Sequence, residues 1–280
     1  MRAPRLWQAE VQWGRKTRVD RDAWLGRAKN LAIVFVVLIW ASRYELSPTS
    51  IAVAQDNSSV AQASADSGGS SNTGSSQVSA NREGTYSWRS LFDGKELGQW
   101  KPARFGGEGE VTVKDGTIIL GMGEPMTGIT WAGEVPRDNY EIQFEAKRTK
   151  GIDFFATTTF PVGNEYCSFV VGGWAGTVVG LSSVDFFDAS ENMTSRFKVF
   201  EDNRWYRVRI RVSEKKIECW IDDEKMVDLE RKGHKFTIRM ECDLCRPLGI
   251  ATWCTESVLR NLQIRQLSPQ EVIDIAEGLR

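Results

Sequence analysis

The sequence predicts an all-β domain, an antiparallel two-sheet sandwich, closed by a short C-terminal helix. Three observations predict it. Several segments after residue 87 alternate apolar and polar residues with period two, as half-buried strands do. Gly-rich turns separate these segments at short spacing. No helix-period segment intervenes before residue 268.

The elements follow in order. Ser90-Leu91-Phe92-Asp93-Gly94-Lys95-Glu96-Leu97-Gly98-Gln99-Trp100 sets an apolar pair before an Asp-Gly turn and an aromatic anchor after it, and marks where folded protein begins. In residues 139–147, Tyr140, Ile142, Phe144 and Ala146 share one face, and Glu141, Gln143, Glu145 and Lys147 the other. From Trp205 to Val212, Tyr206, Val208, Ile210 and Val212 point inward, while Trp205, Arg207, Arg209 and Arg211 point out. A strand from Lys216 ends at an Asp222-Asp223 turn. Phe236, Ile238 and Met240 alternate with Thr237, Arg239 and Glu241 as a further strand, and segments 248–253 and 258–267 close the set. Ser268 as N-cap, Pro269 at N1 and Glu271 in a capping box open the one helix, with an apolar stripe of Val272, Ile273, Ile275, Ala276 and Leu279. Seven of the 11 Trp lie from Trp88 onward. They read either as core filling or as the aromatic surfaces common in sugar-binding sandwiches.

Ahead of the sandwich the chain changes character. Residues 1–30 are basic, and Leu31 to Ala41 form an apolar run well short of the ~20 residues that span a bilayer comfortably. With Ala52-Val53-Ala54 as a small-x-small cleavage site, residues 1–54 read as an export signal; an uncleaved membrane anchor is the second reading. Residues 55–86, rich in Ser, Ala, Asn, Gln and Gly, read as a flexible tether. The division expected is 1–54, 55–86, a sandwich over 87–267 and a helix over 268–280, with the folded part exported. Net charge is −1 and no long basic run follows the N-terminus, so nothing points to nucleic acid. Asn57 and Asn192 lie in glycosylation sequons. The five cysteines permit disulfides in an exported protein but leave at least one thiol over. Cys242-Asp243-Leu244-Cys245 is a lone CxxC; on a strand its two thiols would face opposite sides, and with His234 the only His, zinc has little support.

The opening motif resembles Leu-Phe-Asp/Asn-Gly-Lys-x-Leu-x-x-Trp of the 3-keto-disaccharide hydrolase domain family. Val113 to Leu120 with its Asp115-Gly116 turn, Asn139 to Arg148, Trp205-Tyr206-x-Val208-x-Ile210, Trp220-Ile221-Asp222 and Arg260-Asn261-Leu262-x-Ile264 resemble its successive strands in order and spacing, from Trp88 to Leu267. The resemblance implies a jelly-roll sandwich of concanavalin A-like type, an enzyme, and a carbohydrate or 3-keto-glycoside as substrate. It also implies a reaction. A ketone at C3 acidifies the C2 hydrogen, a base removes it, the C1 substituent leaves, and water adds afterwards. The chain departs from the family where members carry a Gln-Asp-His-like stretch: Trp253-Cys254-Thr255-Glu256-Ser257 contains no His. A binding module without turnover is therefore the alternative function.

Candidate site residues follow from the strand matching the family. Glu141 and Glu145 stand about 13 Å apart at ~3.3 Å per residue, too far for a glycosidase pair. Glu145 is the expected base, with Asp153 and Glu256 as its catalytic partners. A turn at Thr149-Lys150-Gly151 would carry Asp153 back across from Lys147. Structural pairing is the other reading: Asp153 with Lys147, and the Glu row with the row of Arg207, Arg209 and Arg211. Glu141, Trp174 and Arg209 are the expected substrate contacts: Arg209 as enolate stabiliser, Trp174 as a sugar platform between flanking glycines or else a tightly packed core residue. No metal ligands are assigned, and a divalent cation is left open as the electrophile. The oxygen-rich loop of Asp185, Asp188, Glu191 and Asn192 matches no calcium motif and reads as a solvated turn.

Overall fold

The computed structural model describes residues 86–279. In chain order the strands are β1 (Arg89–Ser90), β2 (Trp100–Pro102), β3 (Val111–Lys114), β4 (Thr117–Leu120), β5 (Met126–Trp131), β6 (Tyr140–Lys150), β7 (Thr157–Val162), β8 (Glu165–Gly172), β9 (Val178–Ser182), β10 (Arg196–Phe197), β11 (Tyr206–Val212), β12 (Lys216–Ile221), β13 (Glu224–Glu230), β14 (Gly249–Trp253) and β15 (Glu256–Gln266). A 3-10 helix (Met240–Cys245) precedes β14, and helix α1 (Pro269–Glu277) ends the fold.

Two antiparallel sheets form a β-sandwich. The first runs β13-β12-β11-β6-β15-β4-β3, with β1 also on β15; the second runs β10-β9-β8-β7-β14-β5-β2. The period-two pattern decides what lies between them. Tyr140, Ile142, Phe144 and Ala146 of β6 and Tyr206, Val208, Ile210 and Val212 of β11 are buried and meet Phe160, Phe169 and Leu181 of the second sheet in one apolar core. Trp100 explains the opening motif physically. Its indole Nε1–H donates to the Leu91 carbonyl at 2.9 Å, and its ring meets Trp131 edge-on at 5.2 Å, which ties β2 to the first strand's exit. Asp93 Oδ1 accepts the Lys95 and Glu96 amides, forming the turn expected at Asp93-Gly94. Asp115 and Gly116 both take positive φ, 50° and 73°, as a two-residue hairpin between β3 and β4 requires.

Two expected elements are different. The chain does not turn back at Thr149-Lys150-Gly151. β6 continues to Lys150, pairs with β11 and β15, and the chain then crosses at Gly151 to β7 in the other sheet. Asp153 therefore never faces Lys147. The alternating run Phe236-Ile238-Met240 is not a strand either. Phe236 makes one isolated bridge to Val184, and the following residues wind into the 3-10 helix, which Pro247 stops. That helix lies against β14, β5 and β7 on the outer face of the second sheet. It sits so close that a Cβ at Gly249 would lie 2.6 Å from the Cys245 carbonyl oxygen.

All five cysteines are free thiols. Burial pushes Cys242 up to about 12 and raises Cys167, Cys219 and Cys245 as well, so these are inert packing groups. The Asn192 sequon is closed, because its amide nitrogen donates to the carbonyls of Leu181, Phe187 and Asp188 at 2.7–3.0 Å. The export signal, anchor and tether fall outside the described residues. Among the described residues no helix is long and apolar enough to cross a membrane.

Helix α1 has the capping box expected of Ser268 and Glu271, and buries Ile275 while leaving Ile273 and Leu279 exposed. Glu271 also receives Arg265, whose guanidinium bridges from β15. Burial opposes the charge on Glu271, but Arg265 and the Ser268 amide outweigh it and hold the carboxyl at about 2, against 4.5 ordinarily. A depressed folded value adds stability that is complete above the unfolded value and fades as pH falls below it. The helix should thus loosen between pH 4.5 and about 2, seen as lost ellipticity at 222 nm. Glu271→Gln should bring part of that loss, about 1 kcal/mol, to neutral pH. An acid titration unchanged by the substitution would contradict this.

Candidate functional site

The outer face of the first sheet is a field of alternating charge, and strand register builds it. On one side of β6, Arg207 faces Glu145, Arg209 faces Gln143 and Arg211 faces Glu141. On the other side, Arg260 faces Glu145, Gln263 faces Gln143 and Arg265 faces Glu141. Each Glu of β6 thus sits between two cationic rows, the cross-strand pairing favoured on such a face.

The two carboxylates nevertheless differ. Glu141 is 2% exposed, held by Arg209 Nε at 3.4 Å and Arg265 Nε at 3.0 Å, with helix α1 linked to the same Arg265. Arg209 in turn stacks over the Trp220 ring at 4.0 Å; its burial lowers its pKa and Glu141 opposes that shift. Glu141, expected at the substrate, is closed over by its own ion pairs, and Arg209 is engaged with it.

Glu145 stays open. Its Oε2 accepts from Arg260 Nε and from Asn261 Nδ2 at 3.2 Å, while Oε1 has no hydrogen-bond donor among the described residues. The side chain is 29% exposed. It lines a depression of about 240 Å³ with Gln143, Phe144, Arg207, Asn261 and Gln263. Gln143 donates to Gln263 across the floor at 2.8 Å. Trp205 stands beside it, between Arg260 at 4.0 Å and Lys147 at 4.9 Å. A bulge between Arg260 and Gln263, with Asn261 at φ 55°, breaks the alternation of β15 and brings Asn261 to the Glu145 carboxylate. Sequence reasoning placed Glu145 but missed Gln143, Asn261 and Gln263 as lining residues. The Arg-Asn pair was visible; the bulge was not.

The other candidates lie elsewhere. Glu256 accepts Thr149 Oγ1 at 2.9 Å and Lys150 Nζ at 2.8 Å, and the Lys150 bond lowers its pKa. It pairs with Lys150, five residues along β6 from Glu145, or about 17 Å, beyond any two-carboxylate reaction. Asp153 lies past the end of β6, its carboxylate bonded to the amides of Phe154 at 2.7 Å and Ala175 at 2.9 Å. Trp174, 42% exposed, belongs to that neighbourhood, between β8 and β9 of the second sheet, not to the face of Glu145. In the oxygen-rich loop, Asp185 meets His234 at 2.7 Å and Asp188 meets Arg239. Among the described residues no three His, Cys, Asp or Glu come together as a metal site.

The outer face of the second sheet is closed. Met126 and Ala251 pack beneath Cys242 and Cys245 of the 3-10 helix, and Phe154 and Trp253 edge the same cluster. Thr157 Oγ1 is buried nearby, on the residue paired with Ala251, with no hydrogen-bond partner. The first sheet offers an open, polar depression of about 240 Å³.

Comparison with known proteins then decides the family. The model of the 3-keto-alpha-glucoside-1,2-lyase-like domain matches residues 87–265, nearly the whole sandwich. The chain belongs to that family. Among solved structures, a Crh5 transglycosylase in complex with NAG is 12% identical, with TM-score 0.47, over 67% of this chain and 86% of its own. The carbohydrate-binding module CBM66 from Bacillus subtilis is 10% identical, with TM-score 0.38, over 60% of this chain and 96% of that one. Domain 4 of AbnA, an extracellular arabinanase from Geobacillus stearothermophilus, is 18% identical, with TM-score 0.40, over 63% and 87%. No curated protein sequence matches the chain.

Proposed function

We propose that this sugar-related domain cleaves 3-keto-glycosides by elimination, with Glu145 as the base. One observation carries the reading: in a chain matched by this family from 87 to 265, Glu145 presents an unbonded carboxylate oxygen to an open depression lined by amides and Arg207. Gln143, Asn261 and Gln263 offer the mixed donors and acceptors that hydroxyl groups need.

The reaction follows from those groups. Glu145 Oε1 takes the C2 proton, made acidic by the C3 ketone. Arg207, whose guanidinium also pairs with the exposed Asp223, meets the oxyanion that grows on the ketone oxygen; a preformed cation there lowers the barrier. The electron pair collapses to a C1–C2 double bond, and the C1–O bond breaks with its electrons on the aglycone oxygen. The proton on Glu145 passes to that oxygen, restoring the carboxylate. Addition of water across the double bond completes a net hydrolysis. One carboxylate suffices, so the distance of Glu256 and Asp153 is no obstacle.

The test is to incubate the full chain with 3-keto-trehalose in D2O, with and without EDTA, and follow the sugars by NMR. Deuterium should enter at C2 and glucose should be released. Loss of activity in EDTA would give the enolate's electrophile to a cation. Binding with neither C2 exchange nor cleavage would replace this reading with a non-catalytic carbohydrate-binding module. Export is proposed with it: mature protein should begin near Gln55 by N-terminal sequencing, and exported protein that keeps residues 31–41 would instead be tethered to the membrane through them.

A further inference from the structure

We propose that the turn carrying Trp174 is a second carbohydrate-binding site, a platform for the flat face of a pyranose ring in an oligosaccharide, separate from the Glu145 depression. The inference rests on the sugar reading of the domain and adds a ligand site to it.

The backbone there takes a strained conformation. Gly172, Trp174, Ala175 and Gly176 all take left-handed φ, at 78°, 49°, 64° and 100°. For Trp and Ala that region is costly, and it persists only where surrounding contacts over-determine it. Those contacts are present. The Asp153 carboxylate accepts the Ala175 amide at 2.9 Å and the Phe154 amide at 2.7 Å, and the Asp153 amide donates to Thr255 Oγ1 at 3.2 Å. A Cβ at Gly176 would strike the Ile152 carbonyl oxygen, and one at Gly173 would lie 2.7 Å from Val170 Cγ1. Several residues thus fix one turn.

What the turn presents is the indole itself. Trp174 is 42% exposed and belongs to none of the three apolar clusters. Among the described residues no other ring and no cation stacks on it. The surroundings extend the surface beyond one ring. The Lys198 amide donates to the Thr177 carbonyl at 2.9 Å, which seats Phe197 and Val199, 79% and 81% exposed, beside the turn. Ile152 borders it on the other side at 70% exposed. Polar groups are at hand: burial, with the nearby carboxylates of Asp153 and Glu124, raises the Cys254 thiol, placing both acids at this end of the sandwich. An exposed indole beside the Asp153 carboxylate is what stacking and hydroxyl recognition of a glycan can use, and buried packing requires neither.

The experiment titrates the full chain with cellohexaose, maltoheptaose and N-acetylchitohexaose, following indole N–H resonances. At least one should bind and shift a single indole signal, the one missing from Trp174→Phe. Trp174→Ala should weaken that binding at least tenfold while its melting temperature falls by no more than a few degrees. Excess 3-keto-trehalose, directed to the Glu145 depression, should not displace the oligosaccharide. Absence of binding by all three, shifts confined to other indoles, equal affinity in Trp174→Ala, or competition by 3-keto-trehalose would each overturn the proposal. Absence of turnover alone would count against the Glu145 mechanism and leave this site standing.

Discussion

Glu145→Gln is expected to lower turnover of a 3-keto-glycoside by about 10²–10⁴-fold, the range that a positioned general base contributes. The melting temperature should stay within a few degrees. The amide keeps the shape, and its carbonyl oxygen still accepts from Asn261 and Arg260, yet it takes no proton. The side chain is 29% exposed, so Arg260, itself 39% exposed, keeps access to water when the charge opposite it is lost. Steady-state kinetics beside a thermal melt reads both halves. A variant that keeps full turnover would remove Glu145 from the chemistry. One that mainly unfolds would place it in the structural ion-pair field.

Glu141→Ala should do the opposite, destabilising by about 3–5 kcal/mol, the cost of removing one partner from a buried charge group. Glu141 lies four residues away on the same strand and face, but is 2% exposed between Arg209 and Arg265. Its loss leaves two guanidinium groups facing a hole. Arg265 also holds Glu271, so the C-terminal helix should loosen in the same variant. Chemical denaturation with m-value comparison measures this. A change below about 1 kcal/mol would show that water already screens the cluster, as it does for surface pairs.

This contrast marks where the sequence stops being legible. The alternation of 140–147 gave the sheet face of Glu141 and Glu145, and the motif order from Leu91 to Ile264 gave the sandwich and its family. Nothing local separates the two acids. Their difference comes from Arg265, 124 residues away, and from the helix that follows it. Asp153 was misplaced because a Thr-Lys-Gly sequence can begin a hairpin or, as here, a crossing between sheets; only the pairing of β6 with β15 excludes the hairpin. The alternation at 236–240 was real as a pattern. It lost to the Cys-Asp-Leu-Cys turn and the proline after it, which had an apolar patch at Met126 and Ala251 to cover. Asn261 reached the depression through a bulge, which is invisible in one sequence without its partner strand.

The margins of the two sheets have a consequence for life at high concentration. An unpaired strand edge invites another chain to add to it, and long apolar edges seed aggregates. The first sheet ends on β13, whose Glu224, Lys225, Asp228 and Glu230 side chains are exposed and charged, and on β3, four residues long. The second ends on the two residues of β10 and on the three of β2, which closes with Pro102. Among the described residues every margin is short or studded with charge, which disfavours strand-by-strand accretion.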